Sequence, residues 1–223
     1  MAKDTATKPK KGGKHDAAVE TGPLTPPRLR DVYKSKVQAG LAEKFGLTNP
    51  MQQPRITAVV INVNMGRHLE GTKLPPNVKT TVLDTLTKIS GQKPVVLKAK
   101  KSVSNFKVRA GYETAAMVTL RRDRMWYFLD RLINLATPRI KDFRGVSEKA
   151  FDKQGNYAMG LTEQGVFPEI DMAAVTFTHG MNINIKFSGS TPEISRFILS
   201  ELGMPFVKKE DGPKKSSSSD QAA

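Results

Sequence analysis

The chain has 223 residues, which suits one large domain or a small pair and is enough to bury a substantial core. Its 36 Lys plus Arg against 21 Asp plus Glu give a net charge of +15 and a pI near 10.0, the electrostatic profile of a protein that meets a polyanion. The absence of cysteine excludes disulfides, thiolate metal sites, cysteine nucleophiles and iron–sulfur clusters together.

Residues 1–27 are Lys, Thr, Gly, Ala and Pro with almost no large apolar side chain, too little to offset the entropy of ordering, and are expected to form a flexible basic arm. They also lack the apolar stretch of a secretory signal. The longest strictly apolar run, Met125 to Leu129, is five residues, far short of the ~20 that cross a bilayer. No membrane span is therefore expected, and the cytoplasm is the default location. Residues 207–223, with Lys214, Lys215 and four consecutive serines, form a second tail of the same kind. The arm carries +2 and the tail +1, which leaves +12 on residues 28–206, expected to be a single domain. The basic character thus belongs to the folding part of the chain.

Within that part, Leu29, Val32, Tyr33, Val37, Leu41 and Phe45 repeat at helical spacing before Gly46. Ile56 to Val63 is rich in β-branched residues and reads as a strand. A second helix is expected from Pro76 to Ser90, striped by Val78, Val82, Leu86 and Ile89, with Gly91 beyond it. Val95–Ala99 and Ala115–Arg121 read as strands flanking a basic loop. A third helix carries Met125, Phe128, Leu129, Leu132, Ile133 and Ala136, with Asp123 expected to cap its start and Pro138 to stop it. Val175–Phe187 reads as extended, with Met181, Ile183, Ile185 and Phe187 alternating against Asn182, Asn184 and Lys186. Thr191-Pro192-Glu193 opens a fourth helix that finishes at Gly203. Strands with one greasy and one wet face argue for an α+β fold: a mainly antiparallel sheet, helices packed on one face, and a polar opposite face free for a ligand.

Catalytic signatures are missing. His15, His68 and His179 lie far apart without H-E-x-x-H spacing, and Ser102, Ser104, Ser147 and Ser188 have no nucleophile elbow. No phosphate-binding loop or dinucleotide glycine pattern occurs. Glu163, Glu169 and Asp171 surround Pro168 in what reads as a turn with surface acids. The sequence calls for no catalytic residue, metal, cofactor or small-molecule substrate.

The basic segment is more informative. Lys98, Lys100, Lys101, Lys107 and Arg109 surround Phe106, with Ser102, Ser104 and Asn105 and no acid. Cations around one aromatic suit phosphate contact with stacking on an unpaired base; a solvated hairpin tip whose lysines block edge pairing is the other reading. In the following strand, alternation puts Thr119 and Arg121 outward and Val118 and Leu120 inward. Asn62 and Asn64 share a face of the first strand and, like Gln92, offer both donors and acceptors. Each is also the kind of residue that hydrogen-bonds its own backbone in a turn. Arg139, Lys141, Arg144 and Lys149 alternate with Asp142, Glu148 and Asp152, a weaker field suited to protein contact.

Taken in order, Ile89-Ser90-Gly91-Gln92-Lys93-Pro94, Lys98-Ala99-Lys100-Lys101-Ser102-Val103, Phe106-Lys107-Val108-Arg109, Val118-Thr119-Leu120-Arg121, Pro138-Arg139-Ile140-Lys141-Asp142-Phe143-Arg144-Gly145, Gly155-Asn156-Tyr157 and Phe167-Pro168-Glu169-Ile170-Asp171 resemble the bacterial large-subunit ribosomal proteins that attach 5S rRNA, the fifth in the large-subunit series. The resemblance covers about residues 28–206. It implies a structural constituent of the large subunit, in the cytoplasmic ribosome, that attaches 5S rRNA to 23S rRNA in the central protuberance. By matching motif it implies 5S rRNA contact at Asn64, Gln92, Thr119 and Arg121, and Asn62, on the strand face of Asn64, and Lys93, beside Gln92, are expected to join them. It further implies contact of P-site tRNA by the loop bearing Lys98, Lys100, Lys101, Ser102, Phe106, Lys107 and Arg109. Arg139, Lys141, Arg144 and Asn156 would meet a small-subunit head protein across an intersubunit bridge. The chain departs from the family pattern in three places: Arg67-His68-Leu69-Glu70 after Met65-Gly66, Arg122 where Leu-Arg is usually followed by Gly, and His179-Gly180 where Arg-Gly is usual. An RNA-acting enzyme and a basic module for an acidic protein surface are the rival classes; the first requires turnover, the second binding that survives RNase.

Overall fold

The computed structural model describes residues 25–66, 74–106, 108–141, 143–173, 175 and 177–207. Five strands form one antiparallel sheet: β1 (Arg55–Asn64), β2 (Val95–Lys98), β3 (Glu113–Leu120), β4 (Tyr157–Leu161) and β5 (Met181–Ser188), in the spatial order β2-β3-β1-β5-β4. Register decides which side chains share a face. Val59, Ile61 and Val63 of β1 lie opposite Leu120, Val118 and Ala116 of β3, while Val59 and Ile61 lie opposite Ile185 and Ile183 of β5. Tyr157, Met159 and Leu161 of β4 extend the same face opposite Ile185, Ile183 and Met181. All of these residues are buried.

The helices cover that face. The first segment begins as α1 (Arg28–Val32), widens into a π-helical turn at Tyr33–Val37 and continues as α2 (Gln38–Phe45). Leu29, Tyr33, Val37 and Leu41 are its buried stripe, as the spacing predicts. Next comes α3 (Pro76–Ser90), which buries Val82, Leu86 and Ile89 and stops at Gly91, whose φ of 64° is a conformation glycine adopts without steric cost. The third predicted helix is α4 (Arg122–Arg131), prolonged by a second π-turn (Leu132–Ala136) and a 3-10 turn containing Pro138. Last is α5 (Pro192–Glu201), where Thr191 caps the start by accepting from the Ile194 amide at 3.5 Å. Arg28 reaches Asp130 and Arg30 reaches Asp123, each at 2.8 Å, tying α1 to α4.

Three local expectations change. Asp123 is not the cap of α4: Arg121 holds that position and Asp123 falls in the first turn, where a carboxylate suits the helix dipole and pairs with Arg30. The segment expected to be extended from Val175 becomes a strand only at Met181. Ahead of it, the fully buried Gln164 donates to the Phe177 carbonyl at 2.9 Å and accepts from the His179 amide at 2.6 Å, so side-chain bonds replace ladder bonds there. Finally, β4 is a strand that periodicity did not predict.

Two of the family departures fall at constrained backbone positions. Arg122 sits at φ 52°, in the left-handed region where glycine is the usual occupant. His179 is buried, and a Cβ on Gly180 would stand 2.7 Å from the Leu161 carbonyl oxygen, so glycine is retained there for close backbone approach. Arg67 and His68 lie outside the described residues. At the ends, Pro27 is buried and the Thr25 carbonyl accepts from the Tyr127 hydroxyl, while the Val207 amide donates to the Val146 carbonyl at 3.1 Å. The attached chain thus includes a few residues expected in the arm and tail.

Candidate nucleic-acid interface

The other face of the sheet carries a different set of residues. One cross-strand row runs Val95, Met117, Asn62, Asn182, Gly160; the next runs Thr119, Val60, Asn184, Ala158; Leu97, Ala115 and Asn64 form a third. Lys186 and Arg121 continue this face at the end where β3 stops. None of these residues is acidic. Glu113, at the start of β3, is compensated by Lys79 at 2.7 Å. Asn64, Arg121, Asn182, Asn184 and Lys186 are exposed, and Asn62, Gln92 and Thr119 are half-buried, so the helices do not seal this surface.

The residues singled out from sequence fall into three places. Asn62, Asn64, Thr119 and Arg121 share the open face on adjacent strands. Gln92 and Lys93 lie in the turn after α3, just before β2. There the buried Ser90 hydroxyl donates to the Leu86 carbonyl at 2.6 Å and accepts from the Gln92 amide at 3.2 Å, fixing the turn and leaving Lys93 exposed. Asn64 also has the local role its residue type suggests: its Oδ1 accepts from the Gly66 amide at 2.8 Å and turns the chain out of β1. Asn62 Oδ1 is shielded and has no hydrogen-bond partner among the described residues.

The second place is the hairpin between β2 and β3. It extends beyond the sheet through paired bonds between Val103 and Val108, at 2.8 and 3.2 Å, and the Ser102 hydroxyl accepts from the Ala110 amide at 2.9 Å. Its tip presents Phe106 at 76% exposure, with Lys98, Lys100, Lys101 and Arg109 exposed around it. The Phe106 ring is thus open to solvent at the end of the hairpin. Lys107 lies outside the described residues.

The third place is the segment after α4. Arg139, Lys141 and Arg144 are exposed there, but Asn156 is engaged within the fold. Its Oδ1 accepts from the Phe187 amide of β5 at 2.9 Å, its Nδ2 donates to Asp152 at 2.8 Å, and its own amide donates to Asp152 at 2.7 Å. The Asn156 side-chain bond, followed by the backbone amides of Asn156 and Gln154, holds the Asp152 carboxyl below its ordinary range.

Sequence alone did not single out Asn182, Asn184 and Lys186 as site residues. Their alternation with Met181, Ile183, Ile185 and Phe187 gives the signal, but only the β1–β5 register sets Asn182 beside Asn62.

The family model for ribosomal protein L5 matches residues 49–109, and the model for the C-terminus of the same ribosomal protein family matches residues 113–206. The chain is 47% identical over 181 residues to the large ribosomal subunit protein uL5 of Caldanaerobacter subterraneus subsp. tengcongensis, covering 81% of this chain and 99% of that protein. It is 44% identical to uL5 of Syntrophotalea carbinolica over 182 residues, 82% of this chain and 97% of the relative. To uL5 of Kocuria rhizophila it is 46% identical over 180 residues, 81% and 93% of the two. A helix-backed antiparallel sheet with a carboxylate-free open face, two matching halves of one family and near-full-length relatives agree: the chain belongs to the ribosomal protein L5 (uL5) family.

Proposed function

We propose that the open sheet face holds 5S rRNA and helps attach it to 23S rRNA. Membership in the family makes the chain a non-enzymatic, structural constituent of the large subunit of the cytoplasmic ribosome. The carrying observation is the absence of helices and carboxylates from the rows that contain Asn62, Asn64, Thr119, Asn182 and Asn184. Five strands ~4.8 Å apart and about six residues of each give a surface of roughly 20 by 20 Å, suited to the wide, shallow minor groove of A-form RNA, where ribose hydroxyls and base edges are displayed. Amide side chains serve such groups because each both donates and accepts. Arg121 and Lys93 supply charge at the rim. No bond is made or broken; binding free energy positions the RNA.

The same reading gives the hairpin tip to P-site tRNA, with Phe106 for stacking and Lys98, Lys100, Lys101, Lys107 and Arg109 for phosphates, oriented by Ser102. Arg139, Lys141 and Arg144 meet a small-subunit head protein, and Asn156 positions that region rather than touching the partner. The test is binding to 5S rRNA and to a charge-matched unrelated RNA across a salt titration. Preference for 5S rRNA that persists at physiological salt is expected; equal affinities would remove the specific reading and leave only a basic protein.

A further inference from the structure

At the end of the open face where β3 stops, β1 slips register against β5 between Ile56 and Ala58. Such a bulge bends the strand and opens the pleat. The result is a depression of about 360 Å³ lined by Thr57, Ala58, Arg121, Lys186, Phe187 and Ser188. Arg121 and Lys186 are both exposed, and among the described residues neither has a carboxylate partner. Two like charges lining one depression repel each other until an anion joins them. The Thr57 hydroxyl is turned away to donate to the Lys186 carbonyl at 3.1 Å, whereas the Ser188 hydroxyl has no partner among the described residues and remains a donor. Ala58 is buried and forms part of the depression's wall.

We infer that this depression is a backbone anchor that takes a phosphodiester group of the bound RNA, with Lys186 and Arg121 as its charge partners and Ser188 as a neutral donor. The inference rests on the RNA-binding reading and adds a division of labour to it. The neutral amides in the middle of the face meet sugars and base edges, and the cationic notch at its end fixes register without carrying sequence information. Its volume exceeds one phosphate and accommodates the adjoining sugar.

The experiment compares the full chain with Lys186→Ala, Lys186→Arg and Lys36→Ala, the last an exposed lysine on the π-turn that follows α1. For each, the 5S rRNA binding constant is measured against salt concentration, alongside the unrelated RNA. Loss of one phosphate contact lowers the log–log salt slope by about 0.7–0.9. Lys186→Ala is expected to show that reduction with the 5S-to-unrelated affinity ratio kept, Lys186→Arg to restore the slope, and Lys36→Ala to leave it alone. An unchanged slope in Lys186→Ala, or an equal drop in Lys36→Ala, overturns the anchor. Failure of the unmodified chain to discriminate 5S rRNA would instead overturn the parent reading, and the difference between Lys186→Ala and Lys36→Ala would still decide whether the notch takes phosphate.

Discussion

Replacing Asn156 by Ala separates a residue that touches a partner from one that holds the fold. The side chain accepts from the Phe187 amide at 2.9 Å and donates to Asp152 at 2.8 Å, so it ties the loop before β4 to the edge of β5. Leaving the partly shielded Phe187 N–H without an acceptor costs about 1–3 kcal/mol. The bond to the exposed Asp152 adds little, because solvent screens it. A loss of roughly 1–3 kcal/mol corresponds to a fall in Tm of about 2–12 °C for a chain of this size. Thermal and urea unfolding followed by circular dichroism measure it, with Arg144→Ala, an exposed neighbour, expected within ~0.5 kcal/mol of the parent. The acid limb gives a second reading. Because the Asp152 carboxyl lies below its ordinary range in the fold, its contribution is present above the unfolded carboxylate range and is lost as pH falls through the lowered value. The gap between parent and Asn156→Ala is therefore expected to narrow in strong acid. A variant as stable as the parent at neutral pH would refute the clamp.

Tyr157 is buried, and burial pushes its hydroxyl up to about 12. The folded state thus keeps a proton that the unfolded chain loses near pH 10, and stability present below pH 10 is lost as pH rises toward about 12. Tyr157→Phe gives up the bond to the Ser147 carbonyl at 3.1 Å, about 1 kcal/mol at neutral pH, yet escapes an alkaline loss of about 2–3 kcal/mol. The order of stabilities is expected to reverse between pH 10 and 12 in urea titrations, and a constant gap would contradict the assignment. Arg122→Gly is expected to be as stable as the parent or up to about 1 kcal/mol more so, since relief of the left-handed strain is partly offset by the entropy of a new glycine; a loss exceeding ~1 kcal/mol would count against that strain. Neutralising Lys100, Lys101 and Lys107 together is expected to leave 5S rRNA affinity nearly intact and to shrink the tRNA footprint on assembled subunits, and an unchanged footprint would detach the hairpin from tRNA.

Much of this architecture is legible in the sequence because amphipathic periodicity reports burial directly. Leu29, Tyr33, Val37 and Leu41, or Val82, Leu86 and Ile89, mark helix faces that can be covered only by a core. The alternation from Met181 to Phe187 states which half of β5 is wet. The strand β4 is hidden because Ala158 and Gly160 supply its outward positions, so Tyr157, Met159 and Leu161 have no polar residues to alternate with. Helix-period patterns likewise cannot distinguish a π-turn from ordinary helix at Tyr33–Val37 or Leu132–Ala136. Asn156 illustrates a further limit, since a motif carries residue type and position but not the direction of a hydrogen bond. The notch formed by Arg121 and Lys186 joins residues 65 positions apart and required both the register and the bulge.

If the helix-free face of the sheet grips 5S rRNA, placing one carboxylate on each side of the molecule tests it most directly. Asn184→Glu puts the charge among exposed amides of the open face, while Ser200→Glu makes the same charge change at an exposed position of α5. In 5S rRNA titrations at physiological salt, Asn184→Glu is expected to weaken binding at least tenfold, about 1.4 kcal/mol, with unfolding unchanged, and Ser200→Glu to bind like the parent. Equal affinities for the two variants would contradict the assignment of that face to RNA.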